Sequence, residues 1–317
     1  MLSAHDTAPG CPGFCGRNAL ENSTELWSDC TACSWGSRSI SSRCSPCRAP
    51  LSFYDWMFLA FVFLLPVFFH CFSVHYFSNK KTPRKRVFLE LLCCFIECLV
   101  SSIFAVFIFP PIGSLNLWSC SKSNMKEWYP TWYNPVIKHS RVLRCSHEMV
   151  YPLYTLPFVY YLLLLLCVII FRNLLFLLVF KKKKDNRAYY YALLTLPKIA
   201  LSYAILAGVY YYTFPYIVII FSVCCNAAHL ASSGKKSIRD ITVKVCTSPF
   251  DILMICINMS LLAFGLTALV VPLGSVFSLM SLCLVPVPFL FYVFTIGLSH
   301  PNALTDIGDR SQFGLRC

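Results

Sequence analysis

Charged side chains are scarce in this chain of 317 residues, in which only 13% of the residues are charged and 57% are hydrophobic. A soluble domain carries about 25% charged residues, so the sequence lacks the polar surface that a soluble protein of this length needs. Most of the chain must therefore face lipid. The composition predicts an all-α polytopic membrane protein.

Enzyme motifs are also missing from the sequence. It contains no HExxH zinc motif, no GxSxG nucleophile elbow, no phosphate-binding loop and no pair of aspartates within an apolar run. The sequence therefore predicts no enzyme, no catalytic residue, no metal and no cofactor. The net charge of +13 lies largely in short loops between apolar runs, so topology explains it without nucleic acid as a partner.

Seven apolar runs are long enough to cross a bilayer, for which a helix needs about 20 residues. The predicted spans are 56–77, 87–109, 151–172, 188–210, 213–232, 247–270 and 275–298. The third run continues to Phe180, and we interpret Arg172 as the cytoplasmic end of its span. A short hairpin at Tyr210–Tyr216 is predicted between the fourth and fifth spans.

Basic residues predict the orientation of the chain, because cytosolic loops carry an excess of Lys and Arg. Every second loop is basic, with five Lys or Arg in 78–86, five in 181–187 and four in 233–244. The head, residues 1–55, has four Arg against five acidic residues. We therefore expect the head and the loop 110–150 to be lumenal or extracellular, and the tail 299–317 to be cytosolic. Residues 1–10 lack the apolar core of a secretory signal, so the first span is expected to insert the head.

Six cysteines crowd into the head: Cys11, Cys15, Cys30, Cys33, Cys44 and Cys47. The last four form two CxxC pairs with a spacing that resembles a zinc ribbon, and zinc is the better interpretation if the head is cytosolic. The predicted orientation favours disulfides, because thiols oxidise outside the cytosol. The sequon at Asn22 agrees with that orientation, since N-glycosylation requires the lumen. Six cysteines allow fifteen pairings, and the sequence does not choose among them.

Two further cysteines, Cys120 and Cys145, flank the loop 110–150. A disulfide between them is expected to hold the two ends of this loop together beside the bilayer. The aromatic stretch 128–133 in the same loop is expected to pack under the head.

Besides Glu90 and Arg172, which lie near the ends of their spans, three charged residues fall within predicted spans: Glu97, Lys198 and Asp251. A charge inside a membrane costs at least about 2.5 kcal/mol and marks a candidate functional residue. One interpretation is a proton or ion path through all three residues. The other is an ion pair between Glu97 and Lys198 that fixes helix packing, and it is favoured because no inverted repeat or matched pair of broken helices indicates a transport site.

Two other classes of protein share this layout. A cell-surface receptor with a cysteine-rich, ligand-binding head also has seven spans, but no Asp-Arg-Tyr triplet follows the third span as in G-protein-coupled receptors. An adaptor that gathers partners at the membrane needs many spans, short cytosolic loops and no active site. The sequence fits the adaptor class best.

Several short strings occur in an order that is similar to one known family. They are the CxxC pairs, NSTE (22–25), YDW (54–56), IEC (96–98), YNP (133–135), CSHE (145–148), VYPLYT (150–155), FPYI (214–217) and VPVPFLFYVFT (285–295). Together they resemble the c-Jun N-terminal kinase (JNK)-associated membrane protein family over nearly the whole chain. The resemblance implies a seven-span protein of the endoplasmic reticulum with a lumenal N-terminus. Its implied partners are a JNK-type kinase, the proteasome and a membrane RING ubiquitin ligase, and its implied role is disposal of misfolded proteins under stress.

Overall fold

The computed structural model describes residues 10–19, 27–78, 83–122, 124–130, 132, 145, 148–180, 187–232, 247–270, 274 and 280–299. The chain divides into two compact units, Met1–Tyr211 and Tyr212–Cys317. The division falls inside a long helix, and each unit is described by itself below.

The head, in the first unit, contains a small β-hairpin. Strands β1 (Ser37–Ile40) and β2 (Arg43–Pro46) pair antiparallel. Ser41 and Ser42 join them with φ angles of 50° and 65°, the left-handed pair of a two-residue type I′ turn. A second antiparallel pair joins β3 (Ala49–Pro50) to β4 (Trp118–Ser119), so that the head pairs directly with the loop 110–150.

Three long apolar helices make up most of the first unit: α1 (Phe53–Phe77), α2 (Arg84–Ile108) and α3 (Thr155–Leu175). Helix α1 begins in a capping box, in which the Ser52 side chain accepts from the Asp55 N–H and Asp55 accepts from the Ser52 N–H. A π-helical turn continues α3 to Phe180. The helix therefore continues past Arg172, whose side chain is buried, and Arg172 as the end of the third span stays a prediction.

Helix α4 covers Arg187–Ser232 without interruption, and the predicted hairpin at Tyr210–Tyr216 is wrong. This stretch has no Gly, Asn or Asp to form a tight turn. Pro215 has no backbone N–H, so the carbonyl of Tyr211 lacks the helical hydrogen bond that it would otherwise accept from residue 215. The Tyr54 hydroxyl donates to that carbonyl at 2.8 Å and satisfies it, so the helix continues through the proline.

The second unit packs the end of α4 against two further helices, α5 (Pro249–Val270) and α6 (Val287–Ser299). Gly265 of α5 allows close approach, since a Cβ there would lie 2.7 Å from Ile219 and 3.0 Å from the Pro215 carbonyl. The Ser222 hydroxyl donates to the Asn258 carbonyl at 2.6 Å. These contacts join α4 to α5.

Five of the described helices are long and apolar enough to cross a membrane, and a shorter apolar helix covers Leu282–Thr295. Helix α4 is about 69 Å long at 1.5 Å per residue, more than twice the roughly 30 Å of a bilayer's hydrocarbon core. It therefore contains enough residues for two crossings. The total of seven spans stays a prediction.

Candidate functional site

Four disulfides cross-link the head and the loop 110–150, two within the head and two between the head and the loop, and we call these two segments the cap. Among the described residues, the pairs are Cys11–Cys30, Cys33–Cys44, Cys15–Cys145 and Cys47–Cys120. The last two join the head to the loop, so the predicted Cys120–Cys145 disulfide is wrong. Cys120 lies beside Cys47 because strand β4 pairs with β3, and Cys145 lies beside Cys15 of the head. No head cysteine of the two CxxC pairs keeps a free thiolate for zinc.

Polar contacts add to these covalent links within the cap. Arg38 forms an ion pair with Glu127, and the indole N–H of Trp35 donates to Glu148 at 3.1 Å. Gly16 lies directly on the Cys33–Cys44 disulfide, since a Cβ at Gly16 would be 2.7 Å from either sulfur. The head and the loop 110–150 therefore form one cross-linked body.

The cap is seated on the helices of its own unit at an aromatic contact. Trp128 is only 2% exposed and its ring centroid lies 4.9 Å from that of Tyr211. Gly208 of α4 makes room for it, because a Cβ at Gly208 would lie 2.9 Å from the Trp128 Cβ. Trp128 and Tyr129 of the predicted aromatic stretch thus pack on α4, and both line a cavity together with Trp35 of the head. Thr131 and Tyr133 lie outside the described residues.

A buried ion pair lies beside this contact. Lys122 of the cap pairs with Asp55 at the start of α1, and the Tyr211 hydroxyl donates to Asp55 at 2.8 Å. Burial lowers the pKa of the Lys122 ammonium, although the Asp55 carboxylate acts in the opposite direction. The cap is therefore fixed to α1 and α4 by a desolvated polar contact as well as by aromatic packing.

A cavity of about 390 Å³ opens between the cap and the helices. Glu148 lines it and accepts from the backbone N–H groups of Tyr154 at 3.1 Å and Thr155 at 2.9 Å, and from the Thr155 hydroxyl. It thereby caps the start of α3. Burial raises the pKa of Glu148, while its hydrogen bonds act to lower it.

The other charged cluster lies among α1, α2 and α3. Arg172 holds Glu97 in a two-pronged contact, with Nε 3.0 Å from Oε1 and Nη2 3.2 Å from Oε2. Its Nη2 atom also lies 3.1 Å from the Cys94 sulfur and 3.4 Å from Nδ1 of His70. Glu97, Cys94 and His70 are fully buried. The cluster locks the three helices in register, because a planar guanidinium fixes the direction of each partner.

The expected Glu97–Lys198 ion pair is wrong. Lys198 is exposed on α4 and has no ion-pair partner within the part of the chain that the structure describes. The physical reason is position: Arg172 lies on α3, which packs against α2, and already satisfies the Glu97 carboxylate. Asp251, in the second unit, pairs with His229 at 3.3 Å and lies in the first turn of α5.

The donor atoms of His70, Cys94 and Glu97 lie within 4.8 Å of one another, as zinc ligands do. The Arg172 guanidinium contacts all three residues and supplies the positive charge that a metal ion would bring. The residues present therefore fit an ion-pair network better than a metal site.

Comparison with known proteins identifies the family. Residues 11–301 match the family described as JNK1/MAPK8-associated membrane protein. The chain belongs to this family. A relative named JNK1/MAPK8-associated membrane protein homolog, from Caenorhabditis elegans, is 37% identical over 318 residues, covering 95% of this chain and 97% of the relative. The Mus musculus and Homo sapiens proteins named JNK1/MAPK8-associated membrane protein are each 30% identical over 312 residues, covering 96% of this chain and 98% of each relative. No solved structure matches the chain.

Sequence reasoning placed the eight cysteines of this family member in the cap but missed Arg172 as a buried partner. The signal was present, because the apolar run that contains Arg172 is too long to end there. Cys94 and Glu97 also lie three residues apart, on one face of α2. The predicted glycosylation site at Asn22 lies outside the described residues.

Proposed function

We propose that this chain is a non-enzymatic adaptor of the endoplasmic reticulum membrane. It recruits the proteasome and a membrane RING ubiquitin ligase for disposal of misfolded proteins, and it modulates stress-activated JNK signalling. The observation that carries the proposal is membership of the JNK1/MAPK8-associated membrane protein family over nearly the whole chain. The names of the relatives describe association with that kinase and with a membrane.

The cap supports the compartment that this proposal needs. Disulfides form and persist in oxidising compartments such as the reticulum lumen, and the cap holds four of them among the described residues. A cap that is cross-linked on one side of the membrane leaves the opposite side for cytosolic partners. The basic loops 78–86 and 181–187 and the tail 299–317 are the proposed binding segments.

Replacing the tail 299–317 by a Gly/Ser segment of equal length is expected to remove at least about 90% of the co-purifying proteasome and kinase. The reason is that the proposed binding segment contacts partners through its own side chains, which the replacement lacks. The measurement is co-purification of each partner with the full-length, affinity-tagged protein from cells, normalised to the amount of inserted protein.

The matched control for the tail replacement exchanges Lys181–Lys184 for arginine, which keeps the charge of the loop and the topology signal. This variant is expected to retain both partners. Undiminished co-purification after tail replacement would contradict the tail as the binding segment. A second variant combines the tail replacement with removal of the basic side chains of 78–86. If it still co-purified both partners, neither of these two segments would be the binding surface of the adaptor.

Endoglycosidase H is expected to shift the expressed protein, and the shift is expected to disappear in the Asn22→Gln variant. A sensitive glycan on Asn22 means that the head is lumenal and that the protein stays in the reticulum. A sequon added after Cys317 is expected to stay unmodified, because the tail is cytosolic. A resistant glycan would instead favour the surface-receptor alternative, and an unmodified Asn22 would contradict the lumenal head.

A further inference from the structure

Glu148 is a carboxylate without a cationic partner among the described residues. It accepts from Trp35, from Tyr154 and from the N–H and hydroxyl of Thr155. All four groups donate, which is the pattern of an ionised carboxylate. Charges withdrawn from water are normally paired in proteins, and among the described residues only neutral donors and the N-terminus of α3 face this partly buried carboxylate. The site therefore has capacity for a cation.

The cavity beside Glu148 has walls that suit such a cation. Aromatic side chains of Trp35, Tyr129, Trp132 and Tyr154 line its volume of about 390 Å³. That volume lies within the range of small-ligand pockets. Its described lining contains no Lys, Arg or His, while Glu127, which is paired with Arg38, adds a second carboxylate.

Aromatic walls beside a carboxylate favour a weakly hydrated cation. Ring faces attract cations electrostatically, and aromatic cages are the usual recognition device for quaternary ammonium groups. A primary ammonium is strongly hydrated and loses more on entering a desolvated pocket. Three methyl groups on nitrogen also add apolar contact area that the rings can cover.

The position of the cavity points to a membrane lipid as the source of that group. Tyr154 and Thr155 lie at the start of α3, and Ala204 lies on α4, so the cavity borders the ends of two predicted spans. Trp132 is 85% exposed, and exposed tryptophans are enriched at the headgroup level of membranes. A headgroup reaches this place without its lipid leaving the bilayer.

We propose that the cavity lined by Glu148, Trp35 and Trp132 binds the choline headgroup of a phospholipid in the leaflet beneath the cap. The quaternary ammonium lies against the tryptophan faces, with the Glu148 carboxylate as its counter-ion. The site is formed entirely within the first unit. The proposal does not rest on the adaptor function, and co-purification of kinase or proteasome does not test it.

The test is lipid retention by the full-length protein. It is purified in a choline-free detergent and placed in nanodiscs containing equal amounts of phosphatidylcholine, phosphatidylethanolamine and phosphatidylglycerol with matched acyl chains. Native mass spectrometry of the released protein then measures which lipid stays bound. We expect about tenfold enrichment of phosphatidylcholine over each of the others. The ethanolamine lipid carries the same charge without the methyl groups, so it isolates the contribution of the quaternary ammonium.

Two variants locate the bound lipid. Trp132→Ala and Glu148→Gln are each expected to reduce the enrichment to the composition of the nanodisc. Trp132 is so exposed that its removal leaves the fold intact, which keeps the test valid if Glu148→Gln fails to fold. Trp56→Ala, which removes a tryptophan of α1 outside this cavity, is expected to keep the enrichment.

Several results would overturn the proposal. Equal retention of the three lipids would do so, as would undiminished enrichment in Trp132→Ala. Soluble phosphocholine is expected to displace the retained lipid; if it binds while intact phosphatidylcholine is not enriched, the lipid source is wrong. Displacement by an arginine-rich peptide at lower concentration than phosphocholine would show a peptide site in place of a lipid site.

Discussion

Replacing Arg172 by methionine is expected to lower the free energy of unfolding by roughly 3–5 kcal/mol. The change removes the guanidinium that pairs with Glu97 and leaves a fully buried carboxylate without its counter-charge. Methionine nearly keeps the length of the side chain, so lost volume contributes little. The measurement is thermal or chemical unfolding of the purified protein in detergent micelles, together with the yield of inserted protein in cells.

A double variant distinguishes lost charge pairing from lost packing. Glu97→Leu combined with Arg172→Met removes both charges and is expected to recover most of the lost stability, since a buried ion pair replaced by apolar residues is often neutral. Lys198→Met serves as the matched control. It removes a cation from α4 that is exposed, so it is not expected to lower stability. If Lys198→Met lowered the free energy of unfolding as much as Arg172→Met does, the result would support an ion pair between Glu97 and Lys198 instead.

Hydropathy predicted the described helices α1, α2, α3 and α5 within a few residues, because the length of an apolar run is a local property of the sequence. The continuity of α4 through Pro215 depends on a hydroxyl 157 residues away in sequence, that of Tyr54 on the Tyr211 carbonyl. No local pattern contains that contact. Sequence reasoning therefore predicted a turn where the tertiary structure maintains a helix.

The candidate sites show the same division between local and tertiary information. The clustering of cysteines and the charge bias of the loops predicted disulfides within the head and a separate disulfide within the loop 110–150, but not the disulfides that join the head to the loop. Cys120 follows β4 directly, so its partner depends on the pairing of β3 with β4, two strands of two residues each, which are too short to leave a sequence signal. Cys145 joins Cys15 across 130 residues, a contact that no local pattern contains. The cavity beside Glu148 was also missed, because it forms only when the head, the loop 110–150 and α3 come together.

The disulfides between the head and the loop 110–150 are expected to contribute more stability than those within the head. Cys15 and Cys145 lie 130 residues apart in sequence, but the intact Cys47–Cys120 disulfide shortens the loop that their replacement by alanine opens to roughly 40–60 residues, for which chain entropy gives about 4 kcal/mol. Replacing both Cys11 and Cys30 opens one with a separation of 19, worth about 3 kcal/mol. Each cysteine is removed with its partner, so that no free thiol remains to form a new pair.

Unfolding of the two double variants under non-reducing conditions measures this difference directly. The Cys15/Cys145 variant is expected to be the less stable by about 1 kcal/mol, and protease is expected to cleave its head sooner. Mass spectrometry of non-reduced peptides supplies the independent check on connectivity. Peptides linking Cys15 to Cys145 and Cys47 to Cys120 are expected. A peptide linking Cys120 to Cys145 would contradict the cross-linked cap, because the loop would then close on itself and the head would depend on β3–β4 pairing and side-chain contacts alone.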